Sequence, residues 1–542
     1  MKRLFKAFSL ISLFAVTFLF ISCRSIRQPS SVPEPLNYTD DDIVQNEIER
    51  IDSFLEKEPL RALWRASLLG REEVIEKCIS KIELLFEASI EDKNYLDAYK
   101  YYKSLRAVKP GWKAKNYSLA QIEKLAFADI PGLTGVNKKA PTKISECMNA
   151  AVTIWVDRGV KVKNGAGYAD VIIGSGFFID ERGYIVTNHH VIDSMVNPKY
   201  EGYSRLYIKL PEDNLTKIPA KVVGYDSLLD LALLKVEIVP DYVLNLGSST
   251  DLEIGDKISA IGTPVGLEGT LTSGIISSFD RKLLALGNVF QIDAAVNSGN
   301  SGGPLIDSNL KVQAIVFAGM LQLQGLNFAI PVEYLKQELC YLYGRGEIIH
   351  PWIGCFGNTK REGSKKLGLE VQYVLSGGSG FMAGIRPGDI ITSFDGKEIT
   401  SLDDFNFIMM SYEAETIVEC CYTSSSGEEK KCLVYLDKRP ENPSETVYNS
   451  DLITSSFVPL FGMKLIPSST TNKNSYTIEK IILGSAADQM SFSENDTVTI
   501  TGVQVDHKNE VIITSLSTKR KKKAFMDVSM TLATGLDSPY YF

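Results

Sequence analysis

Between Ala151 and Pro331 the chain offers twelve short β-rich runs bounded by turn residues, with no long helical pattern between them. In the first half they read AVTIWV, GSGFFI, GYIVTN, RLYIKL, AKVVGY and LALLKV. The second half offers KISAIG, LTSGIIS, VFQIDA, GPLI, KVQAIVFA and LNFAIP. Six and six suits two six-stranded antiparallel barrels packed side by side. A doubly wound α/β sheet needs a helix between successive strands, and none fits here.

Into the second half falls Val296-Asn297-Ser298-Gly299-Asn300-Ser301-Gly302-Gly303-Pro304. Such a glycine-rich run turns tightly enough to gather backbone N–H groups beside one hydroxyl. That suits an acyl-transfer nucleophile whose oxyanion is stabilised by backbone donors. Gly-x-Ser-x-Gly also describes the nucleophile elbow of α/β-hydrolases, so the histidines must discriminate. The chain has four: His189, His190, His350 and His507. A serine needs a general base oriented by a carboxylate. The α/β-hydrolase order of Ser, acid, His would recruit His350 or His507, and neither lies in a suitable loop. The order His, Asp, Ser is met by Thr187-Asn188-His189-His190-Val191, then Asp230-Leu231-Ala232, then Ser301. Taken singly, each has a plainer reading: polar residues at a strand end, or turn residues. Their joint order favours catalysis.

GSGFFI (174–179), TNHHV (187–191), DLALL (230–234), NSGNSGGPL (297–305) and NFAIP (327–331) occur in the order seen in HtrA (Deg) serine proteases, and Ile258 to Phe279 looks like that family too. The chain resembles this family over nearly all of residues 145–340. The resemblance implies a chymotrypsin-like double β-barrel with the active site between the barrels. It implies His190 as general base and acid, Asp230 as the group fixing its tautomer, and Ser301 as nucleophile. His189 is then a neighbour without a catalytic role. Backbone N–H groups of Gly299, Asn300 and Ser301 form the implied oxyanion hole. The family further implies homo-oligomers built on trimers, and degradation of unfolded or damaged proteins. Its members can also rest with a disordered oxyanion loop, so the alternative is a chaperone or peptide-binding protein with a latent protease domain.

In chymotrypsin-like enzymes the residue six before the serine lies at the base of the specificity pocket. Here that is Ala295, with Val296 beside it, which points to a small aliphatic residue before the scissile bond. The loop from Gly319 to Gly325 also shapes the pocket. No metal or cofactor is expected, because no Cys/His spacing suggests zinc. Seven cysteines besides Cys23 are scattered over several domains and form no disulfide framework.

Lys2, Arg3 and Lys6 precede an apolar stretch from Phe8 to Ile21, then Ser22-Cys23, which reads as a secretory signal over 1–22. Cys23 directly after it resembles a bacterial lipobox, with Phe20 where leucine is usual. An uncleaved span is disfavoured, since about fourteen apolar residues fall short of roughly twenty. The expectation is a membrane-anchored, extracytoplasmic (periplasmic) lipoprotein, lipidated at Cys23. Residues 23–40 carry prolines and read as a tether. Residues 41–130 show helical periodicity, and NYLDAYKYYKSL resembles one helix of a tetratricopeptide-like hairpin. Residues 131–143 read as a linker into a protease domain over 144–345.

His350-Pro351-Trp352-Ile353-Gly354-Cys355 opens a further unit that closely resembles an HtrA-type PDZ domain over 350–440. The resemblance makes Trp352, Ile353, Gly354 and Cys355 the loop that holds a peptide's terminal carboxylate, the peptide adding as a strand. Gly378-x-Gly380-x-x-Ala383 fits a dinucleotide fingerprint, but Arg386-Pro387-Gly388 stops the following helix too early for a βαβ unit. GSAADQMSFSENDTVTITG (484–502) parallels GSGFMAGIRPGDIITSFDG (378–396), which suggests a divergent PDZ-like domain over 450–542 without a clear carboxylate loop. A net charge of −8 argues against general nucleic-acid binding, and the run Lys519 to Lys523 reads as a solvated turn. The expected partners are unfolded proteins, peptides with free C-termini and, through the lipid, a membrane.

Overall fold

The computed structural model describes residues 40–133, 137–262, 269–297, 299–319, 326–468, 474–521 and 525–542. The signal segment, Cys23 and nearly all of the tether lie outside the described residues, as do 263–268, Ser298 and 320–325. Among the described residues no helix is long and apolar enough to cross a membrane. The chain divides into two compact units, Glu123–Ile349 and a second made of Met1–Ile122 with His350–Phe542.

In the unit Glu123–Ile349, the first half forms one antiparallel sheet of seven strands. Their order is Asp213–Pro219, Arg205–Leu210, Ala151–Lys163, Ala166–Asp180, Tyr184–Thr187, Leu231–Lys235 and Lys221–Asp226. The second half closes into a six-stranded barrel of Lys257–Gly262, Thr270–Arg281, Val289–Ile292, Pro304–Ile306, Val312–Gly319 and Asn327–Pro331. Each half has its own apolar core, with Ile154, Phe178, Ile185, Ile208 and Leu234 in the first and Ile258, Ile276, Ile292, Leu305 and Val316 in the second. The expected six strands per half are therefore seven and six. The extra strand, Asp213–Pro219, is polar and lies at an edge, where packing does not demand alternation. Two strands also run longer than expected. Asn164 (φ 53) and Gly165 (φ 78) join Ala151–Lys163 to Ala166–Asp180 in a hairpin whose outer half is exposed.

Within the expected linker, Asn137 and Lys139 are hydrogen-bonded to a later segment. Asn137 Nδ2 donates to the Val243 carbonyl at 2.8 Å, Val243 N–H to the Lys139 carbonyl at 3.1 Å, and Lys139 Nζ to the Pro240 carbonyl at 2.5 Å. These bonds tie residues 137–139 to the segment 240–243 of the same unit.

In the other unit, helices Asp41–Phe54, Pro59–Leu69, Glu72–Glu91 and Tyr95–Val108 pack into a bundle around Ile51, Leu63, Ile82 and Phe86. Asp40 and Asn94 cap their helices through side-chain oxygens, and Pro59 opens one at its first turn. The bundle does not stand alone, because its core continues into Ile417 and Tyr435 of the following domain. Trp64 Nε1 donates to the Leu433 carbonyl at 2.8 Å, and the Trp64 ring stacks on Tyr435 at 5.7 Å.

That domain is a sheet in the order Cys355–Glu362, Lys365–Val374, Ile390–Phe394, Ile417–Thr423, Glu429–Tyr435, with the helix Leu402–Met409 packed into its core. A second sheet follows, ordered Met463–Pro467, Ser475–Ile481, Thr497–Asp506, Val511–Lys521, Phe525–Gly535. The two share local geometry. Gly388 (φ 99) donates to Val371, and Asn495 (φ 69) donates likewise to Ile478, at 2.7 and 2.8 Å. Gly354 (φ 76) accepts from Leu375 N–H and Gly462 (φ 79) from Ile482 N–H, at 2.7 and 2.8 Å. The second domain therefore does have a loop of the same shape at Phe461-Gly462-Met463. What it lacks, among the described residues, is a helix corresponding to Leu402–Met409, since Thr497–Asp506 turns directly into Val511–Lys521.

Candidate active site

The four residues before Val191 each brace the site differently. Thr187 ends a strand, and its hydroxyl donates to the Ser175 carbonyl at 2.7 Å. Asn188 Nδ2 donates to the Asp230 carbonyl at 2.8 Å, and His189 N–H to the same oxygen at 3.2 Å. His190 lies at the start of the helix His189–Val196 and meets the Asp230 carboxylate twice. Its backbone N–H donates to Oδ1 at 2.7 Å, and its Nδ1 lies 2.6 Å from Oδ2. Nδ1 is therefore the protonated nitrogen opposite the carboxylate, which leaves Nε2 as the basic one.

Asp230 reaches this position from a left-handed backbone conformation (φ 57), which aspartate tolerates better than most residues. Its loop is shaped by Asp226, whose Oδ1 accepts from Leu228 and Leu229 N–H at 2.7 and 3.2 Å. The Asp230 side chain is nearly buried, and that of His190 is one-fifth exposed.

His189 turns away from this pair. Its ring stacks on Tyr225 with centroids 5.2 Å apart, and its Nε2 is 3.9 Å from Asp193 Oδ1. Burial pushes its pKa below the ordinary histidine value, with Asp230 and Asp193 pulling less strongly the other way. Of the adjacent histidines, the one held by the buried carboxylate is His190.

Ser301 sits on a turn that only glycine permits at two points. A side chain at Gly302 (φ 85) would collide with the Ser175 carbonyl and the Thr187 hydroxyl, and one at Gly303 with the Ile261 carbonyl. This contact seats the serine turn against the strand end that leads into His190. Ser175 completes the cradle: its N–H donates to the Ser301 carbonyl at 2.8 Å and its hydroxyl to the Gly299 carbonyl at 2.6 Å. The GSGFF motif contained Ser175, but nothing in its sequence context assigned it this role. The Ser301 hydroxyl donates to the Phe317 carbonyl at 3.3 Å, and among the described residues no hydrogen bond joins it to His190.

The oxyanion set expected over Gly299, Asn300 and Ser301 needs one correction. Asn300 N–H is already committed to the Asn297 carbonyl at 3.0 Å, so it cannot serve an oxyanion in this conformation. Gly299 (φ 107) and Ser301 remain the candidate donors. At the expected pocket, Ala295 is exposed and its carbonyl accepts from Thr272 Oγ1 at 2.8 Å. Val296, by contrast, points into the core of the second barrel at 8% exposure, so it packs the wall from behind rather than lining a pocket. Most of the Gly319–Gly325 loop lies outside the described residues.

In the other unit, Trp352 lies in a two-residue strand paired with Asp437–Lys438, Ile353 is fully buried, and Gly354 turns the chain into the strand Cys355–Glu362. Cys355 is buried, and burial holds its thiol pKa far above the ordinary range.

Family models described as a trypsin-like peptidase domain, a TP0546 family PDZ domain and a domain of unknown function (DUF8517) match residues 174–315, 444–536 and 42–126. A probable periplasmic DegP-like serine endoprotease of Hahella chejuensis is 35% identical over 238 residues, 42% of this chain and 49% of its own length. A probable DegP-like endoprotease of Bartonella henselae is 36% identical over 285 residues, 50% of this chain and 54% of its own. A third, of Marinomonas sp., is 30% identical over 344 residues, 60% of this chain and 70% of its own. The chain spans about half the length of the first two relatives and more than two thirds of the third. A solved serine endoprotease from Yersinia pestis shares 27% identity at a TM-score of 0.42, over 56% of this chain and 100% of that one.

Proposed function

This chain belongs to the HtrA family of DegP-like serine proteases, and on that premise we propose that it is an extracytoplasmic endopeptidase of unfolded or damaged proteins. The observation that carries the reading is the double hydrogen bond of Asp230 to His190, just past the strand end against which the Ser301 turn is packed. In the proposed reaction Ser301 Oγ attacks the scissile carbonyl while His190 Nε2 takes its proton. His190 then returns that proton to the leaving amine, and water repeats the sequence on the acyl-enzyme. Asp230 holds the tautomer and stabilises the imidazolium without itself becoming protonated. The N–H groups of Gly299 and Ser301 receive the oxyanion.

The Ser301 hydroxyl must first leave the Phe317 carbonyl, a rotation about one side-chain bond. That resting hydrogen bond favours a second reading, in which the protease idles until substrate binds and the protein otherwise acts by holding peptides. The domain at 350–440 is the proposed peptide-binding module, recognising free C-termini through Trp352–Cys355. Lipidation at Cys23 is the proposed tether to a membrane, and the names of the periplasmic relatives support the compartment. The proposed assembly is a trimer-based homo-oligomer.

Diisopropyl fluorophosphate should label Ser301, and hydrolysis of casein should vanish in Ser301→Ala while surviving EDTA. Casein hydrolysis that persists in Ser301→Ala, or that is lost in EDTA and restored by zinc, sinks the serine mechanism.

A further inference from the structure

The strand Cys355–Glu362 is an edge of its sheet, yet beside the candidate carboxylate loop it is already paired. Cys355 N–H donates to a Phe542 oxygen at 2.9 Å, Phe542 N–H to the Cys355 carbonyl at 3.0 Å, and Gly357 N–H to the Tyr540 carbonyl at 3.1 Å. Phe356 and Tyr541 face each other as an antiparallel bridge. These are the bonds by which an added peptide strand would be held. The side chains follow the same logic. Phe542 is 2% exposed within the core that contains Ile353, Leu369 and Met409, and its ring meets Phe405 edge-on at 5.1 Å. Tyr541 points the other way, among Trp352, Phe356 and Tyr373, and receives a hydrogen bond from Ser444 Oγ at 3.2 Å.

The segment is also clamped from behind. Arg439, with a side chain only 3% exposed, donates to the Tyr541 carbonyl at 2.8 Å and pairs with Asp537 at 2.7 Å. Asn406, from the helix that walls the groove, donates to the Pro539 carbonyl at 3.4 Å.

We infer that the groove of the 350–440 domain is a binding site for a strand carrying a buried aromatic residue, and that its resident ligand is this chain's own Tyr540-Tyr541-Phe542. This rests on the reading of that domain as a peptide-binding module and deepens it. An incoming peptide must displace the resident strand, because the N–H groups of Cys355 and Gly357 cannot serve both. The second PDZ-like domain acquires a role: lacking a groove-walling helix, it carries the segment that fills its neighbour's groove. Since the resident is tethered, its effective concentration is high, and a free peptide sees only the fraction of molecules whose groove is open.

The test uses the full chain in a Ser301→Ala background, which prevents cleavage of the probe. The probe is fluorescein-labelled Ser-Pro-Tyr-Tyr-Phe, with Ser-Pro-Tyr-Tyr-Ser as control, read by fluorescence anisotropy. Phe542→Ser and a variant lacking residues 540–542 should bind the Phe-ending probe at least about tenfold more tightly than the intact chain. Both should ignore the Ser-ending control. Phe542→Leu, which refills the pocket, should behave like the intact chain, and this arm stands even if the deletion unfolds. Equal affinity in the intact chain and Phe542→Ser shows an open groove, which overturns the proposal and leaves peptide recognition standing. Binding by none of them, while the Cys355 and Gly357 amides lose exchange protection in the deletion, overturns peptide recognition and the proposal with it. Unchanged protection of those amides in a folded deletion variant overturns the proposal alone.

Discussion

Asp230 holds His190 by two different atoms at once, its Oδ1 on the backbone N–H and its Oδ2 on the imidazole Nδ1. The first bond places the residue and the second orients its ring, so position and tautomer depend on one carboxylate.

Asp230→Asn keeps an oxygen for the His190 N–H but places an amide where Nδ1–H needs an acceptor. The imidazole should then adopt the wrong tautomer, and kcat on casein should fall by roughly 10³–10⁴ with little change in KM. His190→Ala should be as severe as Ser301→Ala, because members of a triad act as a unit. His189→Ala should stay within about tenfold of the wild type, a cost of no more than about 1.4 kcal/mol in the barrier. An inactive His189→Ala beside an active His190→Ala would show that the base is the preceding histidine.

His189 should make the protease half acid-sensitive. Burial lowers its folded-state pKa, so below about pH 6.5 the unfolded chain takes up a proton that the folded chain resists. Its contribution to stability is complete above that pH and is lost as pH falls toward the folded value. His189→Phe retains a ring against Tyr225 and removes the titration. The fall in Tm from pH 7.5 to pH 5.5 should be smaller in this variant than in wild type, and equal falls would refute the assignment.

Gly302→Ala should damage folding before it damages chemistry. The added methyl meets the Ser175 carbonyl and the Thr187 hydroxyl, at a backbone angle that favours glycine. Strain and overpacking together should cost at least about 2 kcal/mol. The check is a lowered denaturation midpoint for the protease half; an unchanged midpoint would mean the turn can move away from Thr187.

Trp64→Ala should loosen the helical bundle from the 350–440 domain. The ring stacks on Tyr435 and its N–H is bonded to Leu433, so truncation leaves both a void and an orphaned carbonyl. A cost of about 3 kcal/mol or more is expected. Amide exchange should accelerate at Ile417, whose N–H is held by Ser104 Oγ of the bundle. Unchanged exchange there would show that the two parts hold together without this contact.

The chain's local patterns were legible because their physics is local. The helical periodicity of residues 41–130 holds the observed helices Asp41–Phe54, Pro59–Leu69, Glu72–Glu91, Tyr95–Val108 and Leu119–Ala126, since a helix is closed by neighbours three and four positions away. All six strands of the second barrel coincide with runs of β-formers bounded by turn residues. The order His190, Asp230, Ser301 was readable because each residue stands in a short motif. The Asn164-Gly165 turn is a local signal of the same kind, and it carries both strands it joins beyond their apolar cores.

What tertiary structure decided depends on surfaces far apart in the chain. Trp64 and Leu433 are 369 positions apart, and no local pattern in either segment marks the other as its partner. The directions of the two histidines could not be read from their adjacency; they follow from which ring meets the buried carboxylate and which meets Tyr225. Ser175 became a brace for the serine turn only when a strand end and a loop 124 positions later came together. Tyr540-Tyr541-Phe542 looks like an ordinary polar and aromatic run. Its place on the edge of Cys355–Glu362 follows from the fold bringing three carbonyl and amide pairs into register beside a pocket of phenylalanine size. Sequence determines which segments can form a helix, a strand or a catalytic turn, because those choices are settled among near neighbours. Which buried surface each segment finally meets is settled by the packing of the whole, where complementarity of shape and hydrogen bonds has no local signature.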